Sequence, residues 1–135
     1  MKRTAALLLA CALAGACQNT AHYEPPSGGS MPESEWVDRV IFSVPVKNLV
    51  VVEEVREVRR NDLLRVQVDL RNVQQRESSF RTLIEWFDAA GMKLDSPNEG
   101  WRSQILQAGQ KSPISYTAVT PDAVSWRLNV DAWSR

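Results

Sequence analysis

The chain has 135 residues, with 16 basic and 16 acidic side chains, one histidine and two cysteines. That balance excludes the strongly basic footprint of a nucleic-acid binder. Both cysteines, Cys11 and Cys17, lie near the start, so the rest of the chain has no disulfide framework to fold around.

The first element in chain order is a secretory signal. Met1-Lys2-Arg3 puts positive charge ahead of an apolar run from Ala5 to Ala14, which closes on Ala14-Gly15-Ala16-Cys17. An apolar run of that length with small residues at its end is a cleaved signal rather than a membrane span. A cysteine at the cut resembles the lipobox of bacterial lipoproteins. The resemblance implies cleavage between Ala16 and Cys17, removal of residues 1–16, a diacylglycerol on the Cys17 thiol, and acylation of the new amine. The usual lipobox has Leu three residues before its cysteine, where this chain has Ala14. Leu8-Leu9-Ala10-Cys11 fits the short motif, but a cut there leaves an apolar segment below the roughly 7–15 residues such a region needs. The competing reading, an ordinary signal with an incidental cysteine, leaves Cys17 as an unpaired thiol in an oxidising compartment.

With Cys17 first in the mature chain, Gln18 occupies the position where the sorting scheme implied by the resemblance uses Asp to retain a lipoprotein at the inner membrane. The expected location is therefore the outer membrane, lipid-anchored on its periplasmic face. A triacylated cysteine exceeds the about two acyl chains that stable anchoring needs. Loss of Lys2 and Arg3 takes the mature chain to a charge of about −2. From Cys17 to residue 35 a flexible tether is expected, since QNTAHYEPPSGGSMPESE is rich in Pro, Gly, Ser and Glu and has little to bury. Its 18 residues from Gln18 would span about 20–25 Å as a coil. His22 lies in it and reads as a solvated polar residue.

The folded domain is expected over residues 36–135, long enough for one core without disulfides. Leu64, Val66, Val68 and Leu70 alternate with Arg65, Gln67, Asp69 and Arg71, the period of a half-buried antiparallel strand with one dry and one wet face. Before it, Leu49 to Val58 is valine-rich. Leu49, Val52, Val55 and Val58 also fit a spacing of three, but the Asn61-Asp62 turn favours a hairpin with a bulge. A third strand covers Phe80 to Phe87, and Asp88-Ala89-Ala90-Gly91 turns the chain into Met92-Lys93-Leu94, with Gly91 at the positive-φ position. Further strands are expected around Ser103–Leu106, Pro113–Val119 and Val124–Val130. Six to eight short strands with turns at this spacing predict an all-β antiparallel sandwich.

Leu70-Arg71-Asn72, then Trp86-Phe87-Asp88-Ala89-Ala90-Gly91-Met92, then Trp101 resemble the YcfL family of bacterial lipoproteins over roughly Val46 to Trp133. The resemblance implies an immunoglobulin-like sandwich behind a lipid anchor, with no established molecular function and no catalytic residues to carry over. Genes of that family near cell-wall factors hint at envelope maintenance.

Of five tryptophans, Trp86 and Trp126 alternate with core positions and are expected inside. Trp101, Trp36 and Trp133 are the candidates for surface contacts, closing the ends of the sandwich or presenting a platform for a sugar or peptide. The folded part has neither histidine nor cysteine, which excludes histidine acid–base work, cysteine nucleophiles and Cys/His zinc sites. Asp88 with Glu85, or Asp95 with Glu99, are the carboxylate pairs a hydrolase would need, and turn carboxylates are common for structural reasons. The expectation is a monomeric, non-enzymatic module without cofactor or metal that binds an envelope protein. An outer-membrane anchor subunit of a secretion machine is the second reading, and a carboxylate-based cell-wall hydrolase the third.

Overall fold

The computed structural model describes residues 29–97 and 99–133. The signal, Ala16, Cys17, His22 and the tether up to residue 28 lie outside the described residues. Among the described residues there are one helical turn, α1 (Glu33–Trp36), and eight strands: β1 (Val40–Phe42), β2 (Val50–Arg60), β3 (Leu63–Asn72), β4 (Ser78–Phe87), β5 (Lys93–Leu94), β6 (Arg102–Leu106), β7 (Lys111–Thr117) and β8 (Ser125–Ala132). They form the expected two-sheet sandwich. One sheet has the order β2-β3-β7; the other runs β1-β8-β4, with β5 and β6 both pairing along the far edge of β4. One pairing departs from the antiparallel pattern, since β1 runs parallel to β8. A three-residue strand carries too little periodicity to be seen in sequence.

The β2–β3 hairpin forms as its turn residues dictate. Asn61 and Asp62 both have positive φ, 49° and 63°, the requirement of a two-residue type I′ turn that Asn and Asp meet at little strain. The register slips between Val52 and Glu54. That bulge moves the inward position from even to odd numbers, so Val50 and Val55 are both buried, and the apparent spacing of three across Val52 and Val55 is its sequence trace.

On β3 the dry face is as expected, with Leu64, Val66, Val68 and Leu70 all buried. The wet face is not. Gln67 and Asp69 are buried too, at 6% and 5% exposure. The reason is that β3 lies between β2 and β7, and their long side chains fold over it. Lys111 Nζ lies 3.2 Å from Asp69 and 3.2 Å from Glu53, and Gln67 Nε2 donates to Asp69 Oδ1 at 2.9 Å. Arg71 pairs with Glu53 and Arg56 with Glu54. Arg71 and then Lys111 hold the Glu53 carboxyl below its ordinary range.

Between the sheets, Phe80, Trp86, Trp126, Leu128 and Val130 meet the valines of β2 and β3. Trp86 and Trp126 are neighbours across β4 and β8, as expected of core residues. Trp126 Nε1 donates to Glu57 at 2.7 Å, so its one polar atom is satisfied. The Thr82 and Tyr116 hydroxyls, 2.5 Å apart, join the two sheets inside the core. Burial pushes the Tyr116 hydroxyl above its ordinary value.

Residues ahead of the expected boundary at residue 35 take part in the fold. Ser30 pairs antiparallel with Arg56, and Met31 N–H donates to the Val55 carbonyl at 2.8 Å. Met31 and Trp36 pack against the core. Composition placed residues 30–35 in the tether because only Met31 is apolar among them; the open edge of β2 supplies the backbone partners that hold them.

Candidate functional site

The outward face of the five-stranded sheet gathers the side chains that the core does not use. Along β4, Arg81, Leu83, Glu85 and Phe87 alternate with the buried Phe80, Thr82, Ile84 and Trp86. Opposite them on β8 stand Asp131, Asn129, Arg127 and Ser125, and β1 places Ile41 beside Asn129. Trp101, just before β6, packs its ring against the Arg81 guanidinium, 4.4 Å from ring centroid to the guanidinium carbon.

Charged pairs frame an apolar strip on this face. Arg81 donates from Nε and Nη2 to Asp131 Oδ2 at 3.2 and 2.7 Å, which holds the Asp131 carboxyl below its ordinary range. Glu85 accepts from Asn129 Nδ2 at 3.0 Å and pairs with Lys93 at 3.2 Å; Lys93 also reaches Glu99 at 2.6 Å. Burial pushes the Glu85 carboxyl up, but the bonds from Asn129 and Lys93 outweigh it, so the net displacement is downward. Between these pairs lies an open groove of about 300 Å³, lined by Ile41, Leu83, Glu85, Trp101, Asn129 and Asp131. Ile41 and Trp101 are 44% and 43% exposed. The groove offers apolar contact flanked by hydrogen-bonding groups, the composition of a recognition surface.

Of the three tryptophans marked as surface candidates, Trp101 alone lines this groove. Trp36 is half-buried against the core, and Trp133, half-buried, follows the end of β8. Trp101 is thus combined with Ile41 and Leu83 rather than with another tryptophan. The sequence alone carries no signal for Ile41 and Asp131, because their strand partners set their place; the outward Leu83 between Arg81 and Glu85 is the signal it does carry.

Three of the four carboxylates singled out in the sequence have partners within the fold. Asp88 Oδ1 accepts from the backbone N–H groups of Ala90 and Met92 at 2.9 and 2.8 Å, and Gly91 takes φ 78°, so the turn forms as its residues require. Glu85 is engaged by Asn129 and Lys93, and Glu99 by Lys93. Among the described residues no group of three or more His, Cys, Asp or Glu side chains is placed to hold a metal, and no helix is long and apolar enough to cross a membrane.

The two sheets and their exposed face define a small immunoglobulin-like β-sandwich. The chain belongs to the family described as "Protein of unknown function (DUF1425)", whose profile matches residues 38–132. It is similar in structure to cj0090 of Campylobacter jejuni, with 26% identity over 70% of this chain and 98% of that one and a TM-score of 0.62. A DUF1425 member from Shewanella sp. pv-4 shares the fold at a TM-score of 0.58, with 21% identity over 64% of this chain and 81% of that one. No curated protein matches the sequence.

Proposed function

We propose that this protein is an outer-membrane lipoprotein whose periplasmic sandwich acts without catalysis, binding an envelope protein through the outward face of its five-stranded sheet. The observation that carries the reading is the strip of Ile41, Leu83 and Trp101, set between the Arg81–Asp131 pair and the Glu85–Lys93 pair. An apolar centre rimmed by charge is the anatomy of a protein contact. The lipobox-like start, Gln18 after Cys17, and the resemblance to YcfL lipoproteins support the location. Tethering raises the effective concentration of the sandwich toward partners at the same membrane.

A photo-crosslinking residue at Ile41, in the full chain expressed in intact cells, tests the reading. A discrete adduct, identified by mass spectrometry and lost on Trp101→Ala, is the expected result. Labelling no stronger than at Lys47, which is exposed on the β1–β2 loop, refutes the face as the contact.

A further inference from the structure

One end of the sandwich gathers the Asn61–Asp62 turn, the Asp88–Met92 turn and the loop from Ala118 to Val124. Arg59 holds two of these together: Nη1 donates to the carbonyls of Asp62 (2.6 Å) and Pro121 (3.2 Å), and Nη2 to that of Ala123 (2.7 Å). Val124 N–H donates to the Phe87 carbonyl at 2.9 Å, which brings in the third. Met92 is 66% exposed here, Val124 46% and Val119 45%. Val37, 47% exposed, reaches the same end beside Asp38, which shares a depression with Asp88 and Gly91. Ala89, Ala90 and Pro121 are exposed around them. Exposed apolar side chains gathered at one end of a fold are the mark of a contact surface.

The path of the chain says what that contact is. Ser30 pairs antiparallel with Arg56, and β2 runs from Arg56 toward Arg60 and this end. The chain therefore arrives at Ser30 from the side of the apolar end. About 13 Å of strand separates Arg56 from Arg60, while Val50 lies about 20 Å away in the opposite direction, at about 3.3 Å per residue. By sequence, residues 17–29 separate Ser30 from the start of the mature chain, and a random coil of that length would span about 20 Å root-mean-square. That span exceeds the distance to the apolar end, and the chain enters Ser30 from that side, so a bilayer holding Cys17 is within reach of it.

We infer that Val37, Met92, Val119 and Val124 form a membrane-resting end, seated in the interfacial layer of the bilayer that carries the anchor. The inference rests on the lipidation of Cys17 proposed above. The end mixes Arg59 and Arg60 with Asp62, Asp88 and Asp122, so it lacks the basic cluster that draws proteins to anionic lipid, and its contact is apolar. In this pose the Trp101 groove lies on the flank of the sandwich, open to a partner, and Val44, 87% exposed beyond β1, points away from the membrane.

The test uses the full lipidated chain, whose mature form has no thiol besides Cys17. Met92→Cys, Val124→Cys and Val44→Cys are each labelled with an environment-sensitive fluorophore and reconstituted on vesicles of phosphatidylethanolamine and phosphatidylglycerol. The expected result is a blue shift at positions 92 and 124, quenching there by nitroxide-bearing lipid, no change at position 44, and insensitivity to salt. Floated vesicles on which the labels at 92 and 124 stay water-like overturn this inference and leave the anchor standing. An equal shift at position 44 overturns it as well. A chain that fails to float with the vesicles refutes the anchor, and the membrane-resting end with it.

Discussion

Asn72 closes the end of the sandwich opposite the apolar one, and replacing it with Asp should unlock that end. The side chain is fully buried. Its Nδ2 donates to the carbonyls of Arg76 (2.7 Å), Leu106 (3.0 Å) and Gln107 (3.0 Å), while its Oδ1 accepts from Gln74 N–H (2.8 Å) and Ser78 Oγ (3.1 Å). One amide thus ties the β3–β4 loop to the β6–β7 turn. Asn72→Asp keeps the shape and the accepted bonds but removes both protons offered to the carbonyls, and at neutral pH it aims a buried charge at three oxygens. An uncompensated buried charge costs about 3–5 kcal/mol, against a total stability of about 5–15 kcal/mol. At a urea dependence of about 2 kcal/mol per molar, the midpoint should fall by on the order of 2 M. The introduced carboxyl has a raised pKa in the folded state. Stability is therefore fully present below the unfolded value of about 4 and lost as pH rises through the folded one. Urea unfolding followed by tryptophan fluorescence should show the gap to wild type large at pH 7 and narrower near pH 4. A variant within about 1 kcal/mol of wild type at pH 7, or a gap that widens on acidification, would refute the role of Asn72.

Trp86→Ala should destabilise by about 3–5 kcal/mol in denaturant, as for other buried aromatics, while Trp101→Ala should cost about 1 kcal/mol or less, the worth of its stacking on Arg81; equal losses would mean that Trp101 is core. Asp88→Ala should cost about 1 kcal/mol through two orphaned turn amides, and Asp88→Asn much less because the amide oxygen still accepts both bonds; an Asn variant as weak as the Ala variant would contradict this. Glu53, Glu85 and Asp131 are held below their ordinary values, so what they contribute is present above about pH 4 and lost as pH falls. Lys93, Lys111 and Tyr116 are raised, so their contribution is present below about pH 10 and lost as pH rises. Thermal midpoints should accordingly be flat between these limits and fall on both sides; a midpoint that rises from pH 7 to pH 3 would be incompatible with these ion pairs. Cys17→Ser should abolish incorporation of labelled palmitate, and Cys11→Ser should leave it unchanged; incorporation that survives the Cys17 change would remove the anchor.

Much of the fold was legible because the signals are local. The period-two alternation of Leu64 to Leu70 arises from the pleat of a single strand, the Asn61-Asp62 turn from the φ values those two residues tolerate, and the Asp88–Gly91 turn from one carboxylate within reach of its own backbone. None of these needs a distant partner. The all-β class, seven of the strands and the interior places of Trp86 and Trp126 followed from them.

What the sequence could not express is which strand lies beside which. The alternation of β3 shows that Gln67 and Asp69 share a face, yet only their position between β2 and β7 covers them with Lys111 and Gln67's own bond to Asp69. Ile41 becomes part of a surface because β1 docks parallel to β8, and Asp131 meets Arg81 because β8 lies antiparallel to β4, 50 residues apart in sequence. Ser30 and Met31 left the tether once the edge of β2 offered them hydrogen bonds. Chain pattern determines which face each side chain takes within its own strand; the pairing of strands, fixed by burial of the whole core at once, decides what that face looks upon.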